Sequence, residues 1–132
     1  MITCIHHINF IVENLDLAVA KYQESLGLGD FIFDSLEARA VKTARVKLGE
    51  TWLVLVQPID KTSVPALYLK EHGEGFFLMS LGTDDLEAQL KHFEEKHAKN
   101  PSIARRRGLE GWAIADLPFD DFFGAQLQLT EN

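Results

Sequence analysis

Residues 7–18 read His-Ile-Asn-Phe-Ile-Val-Glu-Asn-Leu-Asp-Leu-Ala, and two kinds of order meet inside them. His7 to Val12 continue a run from Thr3 that is rich in Ile, Phe and Val, the composition of a strand. Asn14 then brings a side-chain oxygen to the place where a helix has free backbone N–H groups. Behind it Leu15, Ala18, Val19, Tyr22 and Leu26 recur at helical spacing and make one apolar face. Gly27 and Gly29 supply the stop. The stretch predicts a strand that turns directly into a capped amphipathic helix.

Working outward, Phe31 to Phe33 reads as a short strand and Arg39 to Leu48 as a weakly alternating one. After a Gly49-Glu50 turn, Trp52 to Val56 is an apolar strand ended by Pro58. The connector contains a helix over Val64 to His72, with Pro65 tolerated in its first turn and Gly73 as its stop. The same order then returns. Phe76 to Leu81 is a strand. Asp84 and Glu87 resemble a capping box before the apolar face Leu86, Leu90, Phe93. Ile103 to Arg107 reads as an edge strand. Trp112 to Leu117 and Ala125 to Thr130 are the last strands, with Asp120, Asp121 and Gly124 as turn residues between them. Asn14-Leu15-Asp16-Leu17-Ala18 and Asp84-Asp85-Leu86-Glu87-Ala88 occupy equivalent places, the mark of an internal duplication. The expectation is one α+β domain, 1–132, of two βαβββ modules forming a cupped mixed sheet: module one 1–58, a connector 59–73, and module two 74–132.

The 132 residues carry a net charge of −7 and a pI near 5.1, a poor footprint for nucleic acid. The local exception, Arg105 to Arg107, reads first as a solvated edge and second as an anion site. A single cysteine, Cys4, excludes an intramolecular disulfide and reads as a small apolar side chain. No apolar run reaches the length of a membrane span, and the strand-like start shows no leader pattern. A cytoplasmic protein with no nucleic-acid or membrane partner is expected.

His7-Ile8-Asn9-Phe10-Ile11-Val12, Asn14-Leu15-Asp16, Tyr22 and Leu26-Gly27-Leu28 together resemble the opening of the vicinal oxygen chelate superfamily. That superfamily includes glyoxalase I, extradiol dioxygenases, fosfomycin- and bleomycin-resistance proteins and methylmalonyl-CoA epimerase. Leu48-Gly49-Glu50-Thr51, Gln57-Pro58, Leu69, Gly73-Glu74-Gly75 and the final Gly124 with Leu127-Gln128-Leu129 resemble the epimerase in particular. The resemblance spans almost the whole chain. It implies the cupped fold, a homodimer, and a divalent metal held by one His, Gln or Glu from each of four strands.

Carried over position by position, those ligands fall on His7, Val54, Leu78 and Gln128. One histidine and one amide are a weak set, so no metal or other cofactor is expected unless that alignment is shifted. The epimerase's acid/base glutamates fall on Thr43 and Gln128, neither of which exchanges a proton near neutral pH.

With His7 pointing inward, strand alternation adds Asn9, then Trp52, Val54 and Val56, then Phe76, Leu78 and Ser80, then Gln126, Gln128 and Thr130, and Thr43 with Arg45. His6 points away and reads as structural. The candidate ligand-binding residues are Asn9, Thr43, Arg45, Trp52, Ser80, Gln126 and Gln128. Arg45 suits a carboxylate or phosphate. The expected function is capture of a small organic molecule without the family metal. The alternative is an isomerase or lyase of the glyoxalase or epimerase type with His7 as catalytic base, with or without a divalent metal. His7 as a hydrogen-bonded core histidine, Trp52 as ordinary core, and a pseudoenzyme subunit are the plainer alternatives. His92 and His97, five apart, do not share a helix face.

Overall fold

The computed structural model describes residues 1–97 and 103–132, apart from the side chains of residues 119 and 120. The chain runs β1 (Ile2–Ile11), α1 (Leu15–Leu26), β2 (Ile32–Leu36), β3 (Val41–Leu48), β4 (Thr51–Pro58), α2 (Val64–His72), β5 (Gly75–Thr83), α3 (Leu86–Lys96), β6 (Arg105–Arg107), β7 (Ala113–Asp116) and β8 (Leu127–Glu131). This is βαβββ, a helix, and βαβββ again. By contacts it resolves into two compact units, His7–Phe77 and Met1–His6 with Leu78–Asn132.

In the first unit the strand order is β2-β3-β4-β1. β1 is parallel to β4, and the other neighbours are antiparallel. α1 starts where Asn14 Oδ1 accepts Leu17 N–H at 3.1 Å, and it ends at Gly27, whose φ of 65° is the left-handed region open to glycine. Its apolar stripe, Leu15, Val19 and Tyr22, packs on Phe10, Ala44, Val46, Leu53 and Leu55. All five of these sheet residues therefore face α1. α2 begins at Ser63, whose Oγ accepts Ala66 N–H at 3.2 Å.

In the second unit the order is β5-β8-β7-β6, with β5 parallel to β8. Leu86, Leu90 and Phe93 of α3 pack with Ile103, Ala115 and Leu129, and Leu81, Ala113 and Leu117 join them. One expectation needs correcting. The residue capping α3 is Asp85, whose Oδ1 accepts Ala88 N–H at 3.0 Å; it is not Asp84. Asp84 instead meets the N-terminal ammonium at 2.9 Å, which lowers its pKa. Glu87 is turned to Arg105 rather than to the cap (2.9 and 3.0 Å). Two adjacent aspartates offered the same chemistry, and a long-range cation claimed the first. β7 and β8 are joined through a 3₁₀ turn over Phe119–Phe122, which takes in the backbone of Asp120 and Asp121.

The two modules share one device that no local motif shows. The first N–H of each helix is bonded from its own sheet: Leu15 N–H reaches Gln57 Oε1 at 2.8 Å, and Leu86 N–H reaches Glu131 Oε1 at 2.9 Å. Gln57 lies near the end of β4, and Glu131 ends β8.

Candidate functional site

In the first unit, register decides which side chains share a face. His7, Asn9 and Ile11 of β1 pair with Trp52, Val54 and Val56 of β4, and these pair in turn with Lys47, Arg45 and Thr43 of β3. Side chains of paired residues lie on the same side of a sheet. The face away from α1 thus brings together His7, Asn9, Thr43, Arg45 and Trp52. His7 and Thr43 are each 3% exposed and Arg45 is 2% exposed, so these three polar side chains are withdrawn from water, while Asn9 and Trp52 are half-buried.

A buried guanidinium needs compensation. Arg45 Nη1 lies 3.4 Å from Asp34 Oδ2, at the limit of a hydrogen bond. Asp34 sits on β2 opposite Thr43. The Arg45 guanidinium also stands over Trp52, 5.3 Å from the ring centre, a cation–π contact. Lys47 Nζ is 5.6 Å from the same ring. Two buried atoms on this face, Asn9 Oδ1 and Thr43 Oγ1, have no hydrogen-bond partner among the described residues. Each such group costs about 1–3 kcal/mol when left unpaired.

In the second unit, Ser80 of β5 pairs with Gln128 of β8, and Gln128 pairs with Asp116 of β7. Thr130 pairs with Ile114, and Ile114 with Arg106 of β6. Ser80, Gln128 and Thr130 are buried. The Ser80 and Thr130 hydroxyls bond each other. Gln128 Nε2 donates to Asp116 Oδ1 at 2.8 Å, and Arg106 holds Asp116 by two bonds of 2.9 and 3.1 Å. Leu78 is buried two residues before Ser80. Gln126 is half-buried just before β8, and its carbonyl accepts Met79 N–H at 3.1 Å. Phe76 belongs to the first unit, is 48% exposed, and meets Phe10 edge-on. His6 is buried, bonded through Nε2 to Asn132 Oδ1 at 2.7 Å and edge-on to Trp112.

The metal positions implied by the resemblance were His7, Val54, Leu78 and Gln128. Val54 and Leu78 are buried hydrocarbon, which leaves the His7 imidazole and the Gln128 amide oxygen as the donors at the four positions. Among the described residues no three His, Cys, Asp or Glu side chains gather as a cation would need. These residues do not fit the family's metal. The acid/base positions, Thr43 and Gln128, hold a hydroxyl and an amide. His97 stacks on Phe93 and lies 3.8 Å from Asp121. The three arginines of β6 are tied to Glu87 and Glu94, to Asp116, and to the Gly111 carbonyl.

Sequence reasoning did not find Asp34 or Asp116, and it read Arg106 only within the run Arg105 to Arg107, as a solvated edge or an anion site. For Asp116 a signal was present: in Trp112-Ala113-Ile114-Ala115-Asp116 the small alanines alternate with larger residues, so Asp116 shares a face with buried Trp112 and Ile114.

Residues 6–115 match the family described as the glyoxalase/bleomycin resistance protein/dioxygenase superfamily. A Bacillus subtilis protein, YqjC, itself uncharacterized, is 26% identical over 125 residues, covering 95% of this chain and 89% of that protein. Among solved structures, a variant of Streptomyces coelicolor methylmalonyl-CoA epimerase in complex with 2-nitronate-propionyl-CoA is 26% identical, with a TM-score of 0.90 over 100% of this chain and 96% of that chain. The methylmalonyl-CoA epimerase of Mycobacterium tuberculosis is 22% identical, with a TM-score of 0.89 over 98% and 88%; at that identity the likeness speaks for the fold alone. The fold is that of the vicinal oxygen chelate proteins, and the chain belongs to the glyoxalase/bleomycin resistance protein/dioxygenase superfamily.

Proposed function

We propose that this protein binds a small organic acid, free or as a thioester, without the metal of its family. The observation that carries this reading is the pair of buried atoms Asn9 Oδ1 and Thr43 Oγ1, without a hydrogen-bond partner among the described residues, on the face that also holds Arg45 and Trp52. Buried polar atoms are normally satisfied, and a bound molecule satisfies these two. Its carboxylate takes a charge-assisted bond from Arg45, and its apolar body lies along Trp52. The epimerase of Streptomyces coelicolor, 26% identical, binds an acyl-CoA analogue, which supports an organic ligand on this scaffold.

The test is calorimetric titration of the purified protein with a panel of small carboxylates and acyl-CoA thioesters, with and without a chelator. Saturable binding that ignores the chelator and falls in Thr43→Val is the expected outcome. Binding that requires an added divalent metal sinks the reading.

A second reading, an isomerase or lyase, has its own observation: His7 is buried beside Asn9 on the same polar face, where an imidazole can act as a base. It requires turnover of a panel member that disappears in a folded His7→Ala variant.

A further inference from the structure

We infer that Asp34 is a specificity-determining residue, a built-in carboxylate that holds Arg45 until an organic acid takes its place. The inference deepens the binding reading and rests on it. It names the group of this chain that an incoming acid displaces, and so limits the ligands to those with an acceptor strong enough to do so.

Register sets the arrangement. β2 is the edge strand of its sheet, and Asp34 on it lies opposite Thr43 of β3. The two side chains therefore share the polar face, and Arg45, two residues after Thr43, shares it too. Arg45 Nη1 donates to Asp34 Oδ2 at 3.4 Å. That bond is long, where a guanidinium can offer a carboxylate two shorter ones. Asp34 Oδ1 is engaged elsewhere and accepts Ser35 N–H at 3.0 Å.

The burial of the two partners is unequal. The Arg45 side chain is 3% exposed and that of Asp34 is 47% exposed. Letting go of Arg45 returns Asp34 Oδ2 to water that already reaches its side chain, and it leaves the bond to Ser35 in place. An exposed carboxylate with one long contact is held weakly. The exchange concerns this one bond and holds whatever else steadies the guanidinium. A ligand carboxylate arriving there keeps the buried cation compensated. Its second oxygen can take the Thr43 hydroxyl, which has no hydrogen-bond partner among the described residues. A neutral ligand brings a weaker acceptor than the one it must displace, so Asp34 turns it away. Lys47, exposed and 5.6 Å from the centre of the Trp52 ring, adds positive charge that draws anions to this face.

The experiment is an NMR-detected titration of the full chain with benzoate and with propionate, in the presence of a chelator. The proteins are the parent, Asp34→Asn, Arg45→Gln, the double variant of these two, and Glu24→Gln. Glu24 is an exposed acid of α1, and its variant removes the same charge away from the polar face. Asp34→Asn is expected to melt within about 5 °C of the parent and to bind the acids about three- to tenfold more tightly. In the Arg45→Gln background the same change is expected to give no such gain, and Glu24→Gln is expected to bind as the parent does. Binding by Asp34→Asn that equals or falls below the parent's makes Asp34 a support for Arg45 and overturns the exchange. A gain that persists without Arg45, or that Glu24→Gln reproduces, also overturns it. Asp34→Ser serves if Asp34→Asn does not fold, and failure of both to fold overturns the exchange, because a displaceable partner is dispensable. If the parent binds either acid and Asp34→Asn binds it no better, the exchange fails and the binding reading stands. Uptake of neither acid by any of the proteins overturns the exchange and leaves the binding reading to its wider panel. Binding that appears only with an added divalent metal overturns both.

Discussion

The guanidinium of Arg45 lies 5.3 Å from the centre of the Trp52 ring, although the two residues are on neighbouring strands and two residues out of register, Arg45 opposite Val54 and Trp52 opposite Lys47. The contact places a buried cation and an aromatic surface on the same side of the sheet. If an organic carboxylate binds there, Arg45→Gln should weaken it about tenfold or more, because a charge-assisted bond becomes a neutral one. The corresponding neutral amide should lose much less. Titration of both compounds against both proteins checks this.

Thr43 offers the sharpest separation of stability from function. Its hydroxyl is buried without a partner among the described residues, so Thr43→Val removes an unsatisfied polar group at nearly constant volume. The variant should be more stable by about 1 kcal/mol and bind the ligand less well, the trade expected of a binding site. Urea denaturation and titration read the two effects. A destabilised variant with unchanged binding would take Thr43 out of the site.

The helix caps make a local test of the duplicated design. Asn14→Ala and Asp85→Ala should each cost about 1 kcal/mol in urea denaturation, since each removes the side chain that holds a first-turn N–H. Asp84→Ala should change little, because its partner is the exposed N-terminal ammonium and exposed pairs contribute little.

Gly82 shows a different constraint. A Cβ added there would stand 2.6 Å from Cys4 Sγ, below any normal contact. Gly82→Ala should destabilise the chain by about 1–3 kcal/mol. The double variant with Cys4→Ala should recover much of the loss, because the clash is with that sulfur. Melting temperatures of the two single variants and the double variant form the cycle.

How far the sequence could be read followed the range of the forces involved. α1 lies where its cap and apolar stripe placed it, and α2 where Pro65 and Gly73 placed it, because these signals are local. The start of α3 was misplaced by one residue because the N-terminal ammonium, 83 positions away, binds Asp84. The polar face of the first unit was legible from alternation once His7 was taken as inward. Asp34 was not, because its nearness to Arg45 depends on how β2 registers on β3. Asp116 stayed hidden for the same reason: its alternation was visible, but its pairing with Gln128 is a register of two strands.

The sequence by itself determined the βαβββ repeat, the family, and the hydrocarbon side chains at Val54 and Leu78, since these depend on residue identity and local order alone. Only the tertiary structure decided which polar atoms lack a partner among the described residues, that Arg45 sits over Trp52, and that Gln128 donates its amide to Asp116. Those facts are set by strand register and burial, which depend on residues far apart in the chain being brought together.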